Sequence, residues 1–235
     1  MVGTLISKRE LCPNTWEYTF SYKEKISWKP GDYTYITLQK KLNKIDSRGL
    51  RRHISIAKLD KEKMIFSIAV RLRNSTFKKE LHALHPREKI EFTPPYGELV
   101  LPRDKNAPLV FIVGGIAITA ILSVLQLLSE TNSKRKVYLF YFNKSRDTIC
   151  YKEDLENFTS QLPHLKLIYI MTSDAKWDGE TERVSAILMQ KYIPTLMQTY
   201  YYVVGTEGMC QVTEDILWDL GIRDDQIWRE DFTGY

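Results

Sequence analysis

The sequence predicts two domains of different class: an antiparallel six-stranded β-barrel, then an α/β doubly wound domain with a five-stranded parallel sheet. Over the first ~100 residues hydrophobic side chains recur with the two-residue period of strands. Further along, continuous apolar runs alternate with helical patterns, as in a sheet covered on both faces. A polar segment with a proline at each end, 102–108, separates the two patterns. We expect a barrel domain over 1–102, a linker over 103–108 and an α/β domain over 109–235.

Short alternating segments predict the strands of the barrel. They are Glu17–Tyr22, Tyr33–Leu38, Ile54–Ala57, Met64–Val70 and Lys89–Phe92. Several short strands at close spacing are typical of an antiparallel barrel. One helix interrupts them, because Phe77, Leu81 and Leu84 fall at i, i+4 and i+7. It follows Asn74 and Ser75, and either residue fits the N-cap position.

Strands and helices alternate in the second domain, which predicts parallel strands joined by right-handed crossovers. The predicted strands are Leu109–Val113, Val137–Phe142, Leu165–Met171, Tyr200–Val204 and Ile227–Trp228. Helices are predicted around Ile121, Leu155, Ile187 and Ile216. Ligands of such sheets bind at the carboxyl ends of the strands.

Composition and charge exclude several classes of function. The formal net charge is +5, which attracts anions only mildly. Nucleic-acid binding is not expected, because the densest basic stretch, Arg48–His53, is only six residues long. No apolar run approaches the ~18 residues of a membrane span, and the charged N-terminus is unlike a signal peptide, so we expect a cytoplasmic protein. The cysteines and histidines lack metal-site spacing, so no metal is expected.

Two glycine-containing segments follow buried strands and open helices. These segments are Val113–Thr119 and Val204–Cys210. Glycine lets the backbone approach a ligand closely, and the N–H groups of a helix start attract phosphate. A tight turn without a ligand explains the same residues, so the residues alone leave both interpretations open.

Three further segments could bind a ligand, although each has a simpler explanation. Arg51–Ala57 offers a guanidinium for a phosphate, but charge runs are more often solvated. Arg71–Phe77 places cations and hydroxyls at a helix start, which ordinary capping also explains. The aromatic end of the chain, Arg229–Tyr235, fits a frayed terminus better than a residue lying on a ligand.

Taken together, these segments resemble the ferredoxin–NADP reductase superfamily over roughly Leu5 to Tyr235. Arg52–Ser55 is similar to the Arg-x-Tyr-Ser/Thr motif of that family, and Pro95–Leu99 to its Gly-Pro-x-Gly-x-Phe turn. Gly114–Thr119 resembles its Gly-Gly-x-Gly-Ile-Thr-Pro loop. Gly205–Met209 stands where the family has Gly-Pro-Pro-x-Met. The resemblance implies a flavin-binding barrel followed by a nicotinamide-dinucleotide domain.

The resemblance also implies the cofactors, FAD and the electron donor NAD(P)H, and the residues that hold them. For FAD these are Arg52, His53, Ile54, Ser55, Ala69, Val70, Arg71, Asn74, Ser75, Thr76 and Tyr235. For NAD(P) they are Gly114, Gly115, Ile116, Ala117, Thr119, Asn143, Lys144, Arg146, Gly205, Thr206, Glu207 and Met209. Within the first set, the resemblance gives Ser55 a catalytic place beside flavin N5, Arg52 the flavin diphosphate, and Phe232 or Tyr235 the cover of the flavin face.

The implied function is an FAD-dependent oxidoreductase that takes hydride from NAD(P)H and passes electrons to a separate acceptor such as ferredoxin or flavodoxin. A general flavin or ferric reductase without a protein carrier is one alternative. Another is a non-catalytic flavin-binding subunit or sensor with a degenerate nicotinamide site. It is suggested by Ile54 at an aromatic position, Ala117 at a glycine position and Glu207 at a proline position.

The choice between NADH and NADPH is open at this stage. Lys144 and Arg146 suit a ribose 2′-phosphate, whereas Asp147 suits a free 2′-hydroxyl.

Overall fold

A computed structural model describes residues 1–40 and 42–232, and the chain divides into two compact units. The first unit consists of Met1–Leu99 together with Thr119–Val124. The second consists of Val100–Ile118 and the chain from Leu125 onward.

The described part of the first unit contains a seven-stranded antiparallel sheet in the order β4-β3-β7-β1-β2-β6-β5. Its strands are β1 (Val2–Cys12), β2 (Thr15–Ser21), β3 (Tyr33–Thr37), β4 (Arg51–Ser55), β5 (Lys58–Asp60), β6 (Ile65–Arg71) and β7 (Lys89–Phe92). The sheet is barrel-like but not closed, with β4 and β5 at its edges. The predicted barrel class is confirmed, while the expected count of six strands is wrong.

The extra strands escaped prediction because their sequences lack a two-residue period. Most of the second half of β1 is polar or charged and lies partly or fully exposed, and β5 has only three residues, all half-buried. The helix of this unit, α1 (Thr76–Ala83), begins after Ser75. It buries Phe77 and Leu81, as the helical spacing predicts.

Aromatic rings fill the core of the first unit. The ring of Phe66 is fully buried, and its centroid lies 5.1 Å from that of Phe92. The rings of Phe20, Trp28 and Tyr22 follow at 5.6, 5.7 and 6.0 Å. Because aromatic side chains remove large areas from water, this cluster is a main source of stability for the unit.

The second unit is a five-stranded parallel sheet in the order β10-β9-β8-β11-β12, counted over the described residues. Its strands are β8 (Leu109–Gly114), β9 (Val137–Asn143), β10 (Leu165–Met171), β11 (Tyr200–Gly205) and β12 (Ile227–Asp231). Its helices are α3 (Lys152–Gln161), α4 (Ala186–Tyr192) and α5 (Glu207–Asp219), together with the part of α2 (Thr119–Glu130) that begins at Leu125. The predicted doubly wound class is confirmed.

The last strand is longer than the sequence predicts, because it continues to Asp231. The prediction that the chain is frayed from Arg229 onward is therefore wrong for residues 229 to 231. Strand β12 pairs with β11 from Ile227 to Asp231. Arg229 holds this edge strand in place, because its guanidinium donates to Asp231 at 2.8 Å and to Glu214 at 2.7 Å. Side-chain pairing of this kind has no signature in a local hydrophobic pattern.

We predict that Phe66→Ala lowers the free energy of unfolding by about 3–5 kcal/mol, because it opens a cavity among rings that cannot collapse into it. Chemical denaturation followed by tryptophan fluorescence measures the loss. Ile6→Ala is the matched control on the same sheet, since Ile6 is 42% exposed. An equal loss in both variants would contradict the assignment of Phe66 to the core.

Candidate functional site

The alternation of side chains along β4 separates residues that the resemblance groups together. In the β3–β4 ladder, His53 pairs with Tyr35. The His53 ring lies 5.9 Å from the rings of both Tyr33 and Tyr35, along an open groove of about 600 Å³. Since neighbouring strand residues point to opposite faces, Arg52 and Ile54 lie on the other face. The structure therefore does not bring the His53 side chain together with that of buried Ile54, although Arg52 also lines the groove beside His53.

Arg52 is fixed beside the start of α1. Its guanidinium donates to the backbone carbonyls of Arg48 and Arg51 at 2.6 and 2.7 Å. It also lies 3.5 Å from Ser75 Oγ and 3.5 Å from Asp46 Oδ1. The side chain is 17% exposed, so the guanidinium is held in one place rather than solvated.

Asp46, a residue to which the sequence analysis gave no role, places a carboxylate at the start of α1. Its Oδ2 accepts a hydrogen bond from the Thr76 N–H at 2.7 Å, and the Asp46 N–H donates to Thr76 Oγ1 at 3.0 Å. The Thr76 N–H, which would otherwise lack a partner inside the helix, lowers the pKa of Asp46. The helix start and Arg52 thus already bind an anionic group from the same chain.

Positive charge is concentrated around this position. Lys78, in the first turn of α1, is only 7% exposed. Burial, together with repulsion from Arg73, Arg48, Arg52 and Arg71, lowers the pKa of Lys78 to about 8. Several cations thus surround the start of α1, and the arrangement fits a further anion such as a diphosphate.

The remaining predicted flavin residues lie at strand ends of the same unit. Ser55 ends β4 and is 5% exposed. Ala69 and Val70 are buried on β6, beyond Ser67, where pairing with β5 stops among the described residues. In the part of the chain that the structure describes, no strand pairs with their backbone on that side. Asn74 is exposed in the turn before α1.

In the second unit, two glycine-containing strand ends come together. Gly114 ends β8 and Gly205 ends the neighbouring strand β11. A methyl group added to either glycine would lie 2.8 or 2.9 Å from Met209 Sδ. The chain then continues from β8 into a 3-10 turn, Gly115–Ile118, whose first residue has φ of +55°. These glycines let the backbone pass closely at the carboxyl ends of the strands.

The turn after β11 is an ordinary helix start. Thr206 is the N-cap of α5, and Glu207 in its first turn carries the charge sign that the helix dipole favours. The Phe232 N–H donates to the Gly205 carbonyl at 2.7 Å, which brings the end of the described chain to this loop. Tyr235, the other predicted aromatic cover, lies outside the described residues.

Asn143 ends β9 with an unsatisfied amide. The residue is 5% exposed, and neither its Nδ2 nor its Oδ1 has a hydrogen-bond partner among the described residues. Its backbone carbonyl accepts from the Thr172 N–H at 2.9 Å, so the loops after β9 and β10 are joined. A buried amide without partners is destabilising by about 1–3 kcal/mol. This orphaned side chain fits a polar ligand at the carboxyl edge of the sheet.

Arg146 is tied to a residue that sequence reasoning missed. Its Nε donates to Asp174 Oδ2 at 2.9 Å, and its backbone N–H donates to the same oxygen at 3.1 Å. The guanidinium holds the pKa of Asp174 at about 2. The Arg146 guanidinium carbon also lies 5.8 Å from the centre of the Trp177 ring. Lys144 and Asp147, the other predicted ribose-side residues, are exposed nearby in sequence.

Within residues 1–40 and 42–232, no cluster of three or more His, Cys, Asp or Glu side chains could hold a metal ion. None of the helices described there has the length and hydrophobicity needed to span a membrane. The cytoplasmic location expected from the sequence stays a prediction.

The chain is similar in sequence to a known domain family and to a subunit of a known reductase. Residues 111–215 match the family described as Oxidoreductase NAD-binding domain. Over 221 residues the chain is 27% identical to one of the subunits of the Na(+)-translocating NADH-quinone reductase of Neisseria meningitidis, covering 86% of this chain and 54% of that protein. The chain thus spans about half the length of the curated relatives it matches.

Two solved structures share the fold over nearly the whole chain. The flavohem-like FAD/NAD-binding domain of nitric oxide dioxygenase from Vibrio cholerae superposes with a TM-score of 0.84 at 16% identity, covering 98% of both chains. A ferredoxin NADP+ reductase from Neisseria gonorrhoeae, with bound FAD and NADP, gives 0.81 at 16% identity and the same coverage. The chain has the two-unit fold of these FAD/NAD(P)-binding reductases. The resemblance seen in the sequence motifs is therefore confirmed, as is the superfamily's two-unit fold.

Proposed function

We propose that the chain is an FAD-dependent oxidoreductase that takes hydride from a nicotinamide dinucleotide and passes electrons to a separate acceptor. One observation carries the proposal. The anion site formed by Arg52 and the start of α1 is already assembled and holds the Asp46 carboxylate. A carboxylate there stands in for a phosphate, because both accept charge-assisted hydrogen bonds from the same donors.

The residues of the first unit fit FAD in three ways. Arg52, Ser75 and Thr76 would bind its diphosphate, with Lys78 adding a buried positive charge. The backbone of Ala69 and Val70, which no described strand pairs on one side, would form hydrogen bonds with the polar edge of the flavin ring. Ser55 would lie beside the reactive nitrogen of that ring. When bound, the flavin accepts hydride and releases electrons singly, which is chemistry that the protein does not supply itself.

The residues of the second unit fit a nicotinamide dinucleotide. Gly114, Gly205 and the turn that begins at Gly115 would let its diphosphate approach the backbone and the helix start. The buried amide of Asn143 would gain the partners it lacks. The two solved relatives named above support this assignment, because their names include FAD together with NAD or NADP.

The electron acceptor and the place of action are further parts of the proposal. The acceptor would be a small carrier protein, such as ferredoxin or flavodoxin, and the location would be cytoplasmic. The positive net charge of +5 supports the choice of acceptor, since it would attract an acidic carrier. A general flavin or ferric reductase is the competing function, and it would show no salt-sensitive binding to acidic carriers.

Reconstitution with FAD tests the function directly. The purified protein should retain a visible flavin absorption band after gel filtration, and anaerobic NADH or NADPH should bleach it. A protein that binds no flavin contradicts the proposal as a whole. A band that neither nucleotide bleaches would favour the non-catalytic flavin-binding subunit.

We predict that substitutions of Arg52 and Asp46, which lie together at the proposed diphosphate site, change FAD affinity in opposite directions. Arg52→Ala should weaken FAD binding by about tenfold or more, because it removes a charge-assisted partner of the diphosphate. Asp46→Asn should strengthen it, since the internal competitor loses its charge. Titration of flavin fluorescence against cofactor-free protein gives both dissociation constants.

Two comparisons control this prediction. Asp60→Asn removes a carboxylate of the same unit that pairs with Lys63 instead, so it should leave FAD affinity unchanged. Riboflavin, which has no phosphate, should bind wild type and Asp46→Asn equally. Weaker FAD binding by Asp46→Asn would show that Asp46 supports the site rather than competing for it.

FAD affinity should depend on the ionisation of Lys78. Its pKa of about 8 means that the amine is largely protonated at pH 7 and largely neutral at ~pH 9 and above. An anionic diphosphate binds the protonated form better, so FAD affinity should fall as pH rises through 8. Lys78→Met should weaken binding at pH 7 and flatten this dependence, whereas Lys79→Met, at an exposed neighbour, should retain it. An unchanged profile in Lys78→Met would remove Lys78 from the site.

A further inference from the structure

The outer face of β3 carries aromatic side chains that the core of the first unit does not use. Tyr33 and Tyr35 alternate with Thr34 and Ile36, which are fully buried. Because neighbouring strand residues point to opposite faces, both tyrosines lie on the face turned away from the core, and both remain partly exposed. Core packing therefore does not explain why two aromatic rings stand at these positions.

A third tyrosine is fixed against these two. The ring of Tyr96 lies 5.8 Å from that of Tyr33, stacked at an angle of 25°, and 5.7 Å from that of Tyr35, which it meets edge-on. The backbones of Tyr96 and Tyr33 exchange hydrogen bonds of 2.7 and 2.8 Å, so the position of Tyr96 is set although the residue is 46% exposed. The three rings thus form an ordered surface on which a further flat ring can stack.

The open groove of about 600 Å³ beside His53 is lined by these three rings and by Arg51 and Arg52. Its volume lies in the range of small-molecule sites, roughly 300–1,000 Å³. The Arg51 guanidinium carbon lies 4.5 Å from the centre of the Tyr35 ring, and Arg51 is exposed. Among the described residues that line the groove, none is acidic. Aromatic rings and guanidinium groups side by side favour a ligand with a flat aromatic ring and a negative charge.

The groove lies beside the place that the proposed function gives to the flavin ring. Tyr33 pairs with Ser55 in the β3–β4 ladder, and Ser55 shares a face of β4 with His53. The Cβ atoms of directly paired residues on one face of a sheet are roughly 5 Å apart. Since Ser55 would lie beside the reactive nitrogen of the flavin, a ligand in the groove would lie close to the group that releases the electrons.

We propose that this groove binds a planar aromatic anion, of the class of flavin mononucleotide (FMN), as a small electron acceptor in addition to the carrier protein. The acceptor role rests on the proposed function, whereas binding to the groove does not. In the net reaction the nicotinamide gives up a hydride and water supplies a proton, so that FMN becomes FMNH2 and NAD(P)H becomes NAD(P)+. The groove contributes ring contacts and positive charge, and no covalent bond to the protein forms.

Binding is measured without flavin, with naphthyl phosphate as the probe. Calorimetry with the whole chain should show that naphthyl phosphate binds at least about tenfold more tightly than naphthol, which has no charge, or inorganic phosphate, which has no ring. Arg51→Gln and Tyr96→Leu should each weaken its binding about fivefold or more, because one removes the charge and the other removes a stacking ring. Lys89→Gln, at an exposed cation of the same sheet, should leave binding unchanged. Circular dichroism confirms that each variant is folded.

The acceptor role is measured with FAD-loaded protein and a saturating nicotinamide dinucleotide. The KM for FMN should be lower than that for riboflavin, which has the same ring but no phosphate. Arg51→Gln should raise the KM for FMN and abolish this difference, whereas Tyr96→Leu should raise both KM values. The rate with ferricyanide, an acceptor without a ring, should change far less in Tyr96→Leu.

The outcomes separate the site from its role. Naphthyl phosphate binding that is unchanged in folded Arg51→Gln and Tyr96→Leu overturns the groove as a binding site. Variants that lose the probe but keep the wild-type KM for FMN overturn the acceptor role alone. A protein that retains no FAD contradicts the proposed function, and with it the acceptor role, while the naphthyl phosphate titration still decides whether the groove binds its ligand.

Discussion

The need to balance positive charge at the start of α1 governs the first unit. Arg52 and Lys78 are held there with little exposure, and further arginines surround them. Buried cations without nearby anions destabilise a fold, because their charge is removed from water. Asp46 meets part of this need, because its carboxylate accepts from the Thr76 N–H at the start of the helix.

The second unit shows the same principle at a different place. There the loops after β9 and β10 bring a guanidinium and a carboxylate into close contact, while the buried amide of Asn143 is left without partners among the described residues. One group at this edge is therefore satisfied internally and another is not. The buried amide of Asn143 is destabilising until a ligand supplies hydrogen-bond partners for it.

Local pattern was enough for most of the fold, and it failed where the deciding contacts are distant in sequence. Period-two segments and buried runs predicted β3, β7 and all five parallel strands, because one face or both faces must be apolar. Strand β1 has a polar half, so its pairing with β2 and β7 is visible only in three dimensions. Asp46 and Asp174 contact partners 30 and 28 residues away, respectively.

For the site, the alternation of side chains along β4 was already visible in the sequence, although the family motif groups these neighbouring residues together. His53 and Ile54 are adjacent in a strand, so alternation alone places them on opposite faces. The family resemblance already named Asn143 as a ligand-binding residue. That its amide has no hydrogen-bond partner among the described residues could be seen only in the three-dimensional structure.

The Asp46 carboxylate at the start of α1 bears on how the protein behaves without the proposed flavin. The Asp46 carboxylate already contacts Arg52 and the Thr76 N–H, so part of the positive charge at the start of α1 is balanced without an external phosphate. If the proposed flavin is lost during purification, a colourless protein that is still folded should therefore remain.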